Sequence, residues 1–156
     1  MNLEFRRMNF EDIPAVHKLE CMLFPDPWSQ NSFFVEVSEQ NLSFPFIVEE
    51  NNKIIGYIIC WYYINELHIG NIAVASDQQD KGIGKYIFER IFDFFGDYER
   101  AYLEVRETNR VAIHLYNTFG FKIVYHRKSY YTNGEDALVM VKNRSIDHIR
   151  INDGLV

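Results

Sequence analysis

Cysteine is almost missing from this 156-residue chain: Cys21 and Cys60 are the two present, with no Cys-x-x-Cys pair. That count excludes a disulfide framework and a zinc ribbon. Proline is scarce too, with four residues, two of them flanking Asp26 in Phe24-Pro25-Asp26-Pro27-Trp28-Ser29. Positive charge is outnumbered, with 16 Lys and Arg against 22 Asp and Glu, a formal net charge of −6. Nucleic acid is therefore disfavoured as a direct partner, because phosphate backbones are held by clustered Lys and Arg. A cationic substrate suits the balance better. No apolar run approaches the roughly twenty residues that cross a bilayer, and no leader-like segment opens the chain. The expectation is a soluble, cytoplasmic protein with no membrane partner.

Apolar residues make up 47% of the chain and include 13 Phe and 10 Tyr, enough for one packed core or an aromatic-lined cleft. One domain is expected over residues 1–143, followed by a polar tail at 144–156. Leu3 to Arg6 alternates as a strand. Asp12 can cap a helix that tolerates Pro14 in its first turn and runs to about Leu23. Ser29 can cap a second helix through about Gln40. Phe44–Glu49 and Ile54–Tyr62 read as strands joined at Asn51-Asn52-Lys53, a hairpin turn by residue type. A third long strand covers Glu66 to Ala75. Tyr102–Arg106 is another strand, Asn109 begins a helix that Gly120 closes, and Phe121–His126 with Ala137–Lys142 form a final pair. The order implies an α/β fold, one mixed sheet with helices on both faces.

Between the third long strand and an amphipathic helix lies Gln79-Asp80-Lys81-Gly82-Ile83-Gly84-Lys85. Ile83, Ile87, Phe88, Ile91, Phe92 and Phe95 form the apolar stripe of that helix. A glycine-rich helix start with unpaired N–H groups and lysines nearby is an anion site, and phosphate is the natural anion. It is not a P-loop, which needs Gly at position 79 and Ser or Thr at position 86; Gln79 and Tyr86 stand there. Nor is it a dinucleotide fingerprint, whose third small residue is replaced by Ile87. Gln-x-x-Gly-x-Gly remains, and alone it also fits an ordinary βα turn.

Strand alternation puts Tyr102, Glu104 and Arg106 on one face. Glu104 is either one half of an ion pair, with Arg106 or a neighbouring strand, or a general base whose pKa partial burial raises. Tyr116 shares a helical face with Ile113 and reads by pattern as core filling with its hydroxyl at the edge. Trp28 is a core plug or a ligand wall. Tyr130-Tyr131 and Trp61-Tyr62-Tyr63 are a substrate wall or sheet surface. His17 and Cys21, four apart, lack further ligands for a metal. His68, His114 and His126 show no triad or metal spacing and read as solvated or core side chains. No metal is expected.

Four segments in order resemble the GCN5-related N-acetyltransferase (GNAT) family: Asn71-Ile72-Ala73-Val74, then QDKGIG, then Leu103-Glu104-Val105-Arg106 with Asn109, then Leu115-Tyr116 with Gly120-Phe121. Pro27-Trp28-Ser29, the LEVR-x-x-N strand end, and Arg127-x-x-Tyr130-Tyr131 before Glu135-Asp136-Ala137 resemble the RimI-type branch, which acetylates the N-terminal alanine of a ribosomal protein. The resemblance implies a mostly antiparallel sheet, splayed between the strands ending near Val74 and Arg106. It implies a pyrophosphate of acetyl-CoA held by the loop Gln79, Asp80, Lys81, Gly82, Ile83, Gly84 and Lys85. Ile72, Ala73 and Val74 would pair with the pantetheine arm, and Asn109 would contact the cofactor. Glu104 would be the general base, Tyr116 the general acid, and Trp28, Tyr130 and Tyr131 the walls for a basic protein's N terminus. Direct transfer in a ternary complex needs no enzyme nucleophile. Other acceptors (another N terminus, a lysine, a small amine) fit the same pattern, and a non-catalytic acyl-CoA-binding module is the reading of a different class. Two positions depart from the family: Asp80 replaces a basic residue, implying a modestly weaker cofactor site, and Thr132 replaces the proline that often follows the tyrosine pair.

Overall fold

The computed structural model describes residues 1–39 and 41–144. The tail expected at 144–156 therefore lies, from 145 onward, outside the described residues, as does Gln40. Seven strands and four helices follow one another as β1 (Leu3–Arg7), α1 (Ile13–Leu23), α2 (Gln30–Ser38), β2 (Ser43–Glu50), β3 (Lys53–Tyr63), β4 (Glu66–Val74), α3 (Ile83–Phe94), β5 (Arg100–Arg106), α4 (Arg110–Thr118), β6 (Lys122–Arg127) and β7 (Ala137–Asn143). The sheet order is β1-β2-β3-β4-β5-β7-β6, antiparallel throughout except for the parallel pair β4–β5.

Local chemistry accounts for most boundaries. Asn51 and Asn52 both take positive φ (51° and 63°), as a two-residue hairpin turn demands, and Asn accepts that conformation more readily than most residues. The Ser29 side chain accepts the Ser32 N–H at the start of α2, and Asn109 accepts the Ala112 N–H at the start of α4. Asp12 does not cap α1 as expected. A short tight turn, Phe10–Asp12, intervenes and moves the cap to Asn9. The Asp12 carboxylate instead accepts the Asn9 N–H and two hydrogen bonds from Arg6.

Alternation along β3 divides the interior. Ile58 and Cys60 face α3 and α4, together with Ile87, Phe88 and Ile91. Tyr57 and Ile59 face α1 and α2, together with Val16 and Phe33. Helices thus cover both faces, as the element order implied.

The feature that creates a site is a failure of pairing. β4 and β5 pair from Glu66↔Arg100 to Ile69↔Leu103 and no further, although both strands continue. A bulge sets in at the same place: opposite the neighbours Ile59 and Cys60 of β3 stand Asn71 and Ile69, leaving Gly70 over. Bulges bend a strand, and this one turns β4 away from β5. Only glycine fits there, because a Cβ on Gly70 would lie 2.2 Å from the Trp61 ring.

Candidate active site

On one side of the splay, residues Gln79 to Lys85 lead into α3. Gly82 is the N-cap, with φ 82° and no side chain to close the helix end. The first helical bond runs from the Tyr86 N–H to the Gly82 carbonyl at 3.0 Å. Among the described residues, the Ile83, Gly84 and Lys85 N–H groups find no backbone acceptor, so the helix start offers a row of free donors. Gly84 lets α3 approach α4, since a Cβ there would meet Leu115 at 2.9 Å. Asp80 takes φ 63°, a left-handed conformation that Asp tolerates better than a long cation would.

This loop borders a cavity of about 520 Å³. Ile72, Ala73 and Val74 form its floor, and Asn109, Leu115 and Tyr116 its far wall. Donors at one end and, along the floor, a strand edge that β5 leaves free, its Val74 carbonyl taken by the Gln79 side-chain amide at 3.1 Å, fit a pyrophosphate joined to an amide-bearing arm, as in acetyl-CoA. Gln79, Asp80, Gly82, Ile83, Gly84 and Lys85 all border the cavity; Lys81 is exposed and does not.

On the other side lies a smaller cavity of about 170 Å³, bordered by Trp28, Gly70, Asn71, Glu104, Arg106 and Tyr131 among others. The two cavities share Phe24, Ile72, Asn109 and Tyr116. Tyr116 thus stands at their junction, its ring buried against Phe88 (5.5 Å) and Phe121 (6.1 Å). The residue fills the core, as the pattern implied, and borders both cavities. Burial, and then the nearby Tyr131, push the Tyr116 phenol well above its ordinary value, so it keeps its proton at neutral pH.

Glu104 accepts from His68: Nε2 and Oε2 are 2.7 Å apart. His68 is stacked on Tyr102 at 4.2 Å and packs on Trp61 at 5.0 Å, with its side chain 24% exposed. Of the two readings of Glu104, the contact with His68 on β4 matches the pairing with a neighbouring strand, and the raised pKa of the other is overturned. Burial does push the carboxyl up, but the His68 hydrogen bond and charge, with the Arg127 charge, together outweigh it and leave the group below its ordinary 4.5. Sequence alone supplied the burial and the option of a partner on a neighbouring strand, but not that the partner is His68. His68 is correspondingly neither solvated nor a core filler but the cross-strand partner of Glu104.

Arg106 does not pair with Glu104. Its guanidinium meets Asp26, lies 3.4 Å from Glu135, donates to Asn133 at 3.1 Å and sits 3.9 Å over the Tyr131 ring. The Thr132 hydroxyl donates to the second oxygen of Asp26 at 3.1 Å. These contacts strap the loop before α2 to the β6–β7 loop and hold Tyr131 at the cavity. Burial raises the Tyr131 phenol to about 12 even with Arg106 opposing. Tyr130 packs edge-on against Tyr131 but is 46% exposed and borders neither cavity. Trp28 is both plug and wall: it packs on Phe33 (5.4 Å) and Trp61 (6.3 Å) and borders the smaller cavity.

Two further groups escaped the sequence reading. Asp26 is one. The other is Glu20, which is buried in α1 and accepts from the Trp28 N–H, the Tyr57 hydroxyl and the Asn71 amide. Its signal was present: Ile13, Val16 and Glu20 share the inward stripe of α1. His126 pairs with Asp136 (2.9 Å) and Glu107 (3.6 Å) in a surface cluster, Asp136 half-buried, that borders neither cavity.

Residues 13–121 match the profile of the Acetyltransferase (GNAT) family. A Bacillus subtilis relative, provisionally named a ribosomal protein bS18-alanine N-acetyltransferase, is 35% identical over 138 residues, 86% of this chain and 91% of its own. The Escherichia coli protein named ribosomal protein bS18-alanine N-acetyltransferase is 34% identical over 134 residues, 83% of this chain and 89% of its own. The crystal structure of the ribosomal-protein-S18-alanine N-acetyltransferase from Escherichia coli superposes with a TM-score of 0.85 at 29% identity, covering 93% of this chain and 96% of that one. With its splayed mixed sheet and matching sequence, the chain belongs to the GNAT acetyltransferase family.

Proposed function

We propose that this chain is a cytoplasmic, acetyl-CoA-dependent Nα-acetyltransferase of RimI type, a single domain over residues 1–143. Its acceptor is the N-terminal alanine of a basic ribosomal protein, the eighteenth of the small subunit. The observation that carries the reading is the junction of the two cavities, with Tyr116 bordering both and Glu104 bordering the smaller one. The names of the 34–35% identical relatives support the acceptor, and the net charge of −6 suits a basic partner. No helix among the described residues is long and apolar enough to cross a membrane.

Acetyl-CoA, when bound, supplies a thioester acyl group whose leaving group is a thiolate. The free N–H groups at the start of α3 would hold its pyrophosphate, and the edge of Ile72, Ala73 and Val74 that β5 leaves free its amide arm, with Asn109 alongside. An α-amine with a pKa of roughly 7.7–8.0 arrives largely protonated at neutral pH. The Glu104 carboxylate, charged throughout that range, takes the proton directly or through one water. The freed lone pair can then form the new C–N bond as the C–S bond breaks. Tyr116, protonated and at the junction, gives its proton to the departing sulfur. His68, partly exposed and bonded to Glu104, offers the captured proton a route to solvent.

A peptide panel tests the acceptor. One peptide begins with alanine, one is blocked at the N terminus but carries lysines, and polyamines complete the set. Acetylation of the α-amine alone is expected. Acetylation confined to lysine side chains or polyamines would remove the RimI-type assignment. Binding of acetyl-CoA without transfer to any amine would leave the non-catalytic module.

A further inference from the structure

We propose that Glu20 is a positioning residue for the acceptor half of the site, holding the Trp28 wall and the bulged segment of β4 in fixed relation. This rests on the acetyltransferase reading for its kinetic consequence, and not for its structural one. Glu20 is 1% exposed. One carboxylate oxygen accepts the Trp28 N–H at 2.9 Å; the other accepts the Tyr57 hydroxyl at 2.6 Å and the Asn71 side-chain amide at 2.9 Å. Every partner is a donor, the arrangement an acceptor-only carboxylate satisfies. Burial and then the Glu20 charge push the Tyr57 phenol up, which keeps it a donor.

Two of the three partners border the smaller cavity. Trp28 provides its wall, and Asn71 is the first residue after the Gly70 bulge, where β4 has left β5. A buried charge is an expensive way to stabilise a core, and apolar residues of similar volume often serve as well or better. What an apolar residue cannot do is tie the backbone of one loop to the side chain of one strand at a fixed distance. Tyr57, the third partner, borders neither cavity and anchors the carboxylate to β3 from behind.

The isosteric Glu20→Gln substitution separates positioning from packing. Its amide keeps one acceptor oxygen and turns the other into a donor, so either Trp28 or the Asn71–Tyr57 side faces an NH₂ group. A charged acceptor is worth about tenfold over a neutral one. The acceptor-peptide KM is therefore expected to rise about tenfold or more in Glu20→Gln, with kcat and the acetyl-CoA KM nearly unchanged. Amide exchange at Trp28 is expected to quicken by a similar factor. Tyr57→Phe leaves both cavity contacts of the carboxylate intact and is expected to keep the wild-type acceptor KM. Should Glu20→Gln fold poorly, Asn71→Ala removes one tie from the other end and is expected to raise the same KM. An unchanged acceptor KM with unchanged Trp28 exchange overturns the proposal, as does an equal KM rise in Tyr57→Phe. If the wild-type protein transfers acetyl to no amine, the acetyltransferase reading fails instead, and Trp28 exchange alone decides the role of Glu20.

Discussion

His68 Nε2 and Glu104 Oε2 lie 2.7 Å apart where the parallel β4–β5 ladder is about to end. The contact joins the two strands at the mouth of the splay and gives the buried carboxylate the partner that burial requires. It also bears on the protonation state on which the proposed chemistry depends, because with the Arg127 charge it draws the Glu104 carboxyl below 4.5 in spite of desolvation.

Glu104 is therefore already charged at every pH where the reaction is of interest. The acid limb of kcat/KM is expected to follow the acceptor's α-amine, near 7.7–8.0, and not the carboxyl. A pH profile with an alanine-starting peptide checks this; an acid limb that ends by about pH 5 would point to the carboxyl instead.

Glu104→Gln keeps the size of the side chain and removes the proposed base. A fall in kcat of about 10²-fold or more is expected, within the usual range for a positioned acid or base, with acetyl-CoA binding little altered. Steady-state kinetics and calorimetry on the same preparation measure the two effects.

The same carboxyl makes stability depend on pH in a definite direction. Its folded-state pKa is depressed, so its contribution is fully present above the ordinary 4.5 and is lost as pH falls through the lower folded value. The melting-temperature gap between wild type and Glu104→Gln is expected to be wide near neutrality and to shrink below pH 4.5. A gap that widens on acidification would contradict the lowered pKa.

Tyr116→Phe retains the ring that packs on Phe88 and Phe121 and removes only the hydroxyl. A loss in kcat of about 10²-fold is expected with nearly wild-type thermal stability. A variant that loses stability but not kcat would reduce Tyr116 to core filling.

Asp80 adds a carboxylate to the loop three residues before the free N–H groups at the start of α3, while holding φ 63°. Asp80→Asn keeps a residue that tolerates this conformation and removes the charge. Coenzyme A is expected to bind about threefold tighter, as befits one charge at a helix N-terminus, and the gain is expected to fade in high salt. Isothermal titration at two ionic strengths checks both points.

Signals confined to one stretch of chain were legible. Ser29 and Asn109 cap the helices they precede, Asn51-Asn52 makes the hairpin, and the QDKGIG stretch forms the loop that borders the larger cavity. Asp12 shows how narrow that legibility is, since one intervening turn moved the cap three residues upstream. What was hidden depends on residues far apart in sequence. Glu104 finds His68 across 36 positions, Glu20 finds Asn71 across 51, and Arg106 finds Asp26 across 80. Periodicity can put Glu20 on the inward face of α1, but only the folded sheet reveals which donors wait there.

Acetyl transfer to an alanine-starting ribosomal peptide, with the modified atom located by fragmentation mass spectrometry, tests the central assignment most directly. One acetyl group on the α-amine, formed by the wild-type protein and slowed about 10²-fold in Glu104→Gln, is the expected result. Acetyl-CoA bound but no acetyl group on any amine, or equal rates in the two proteins, would contradict it.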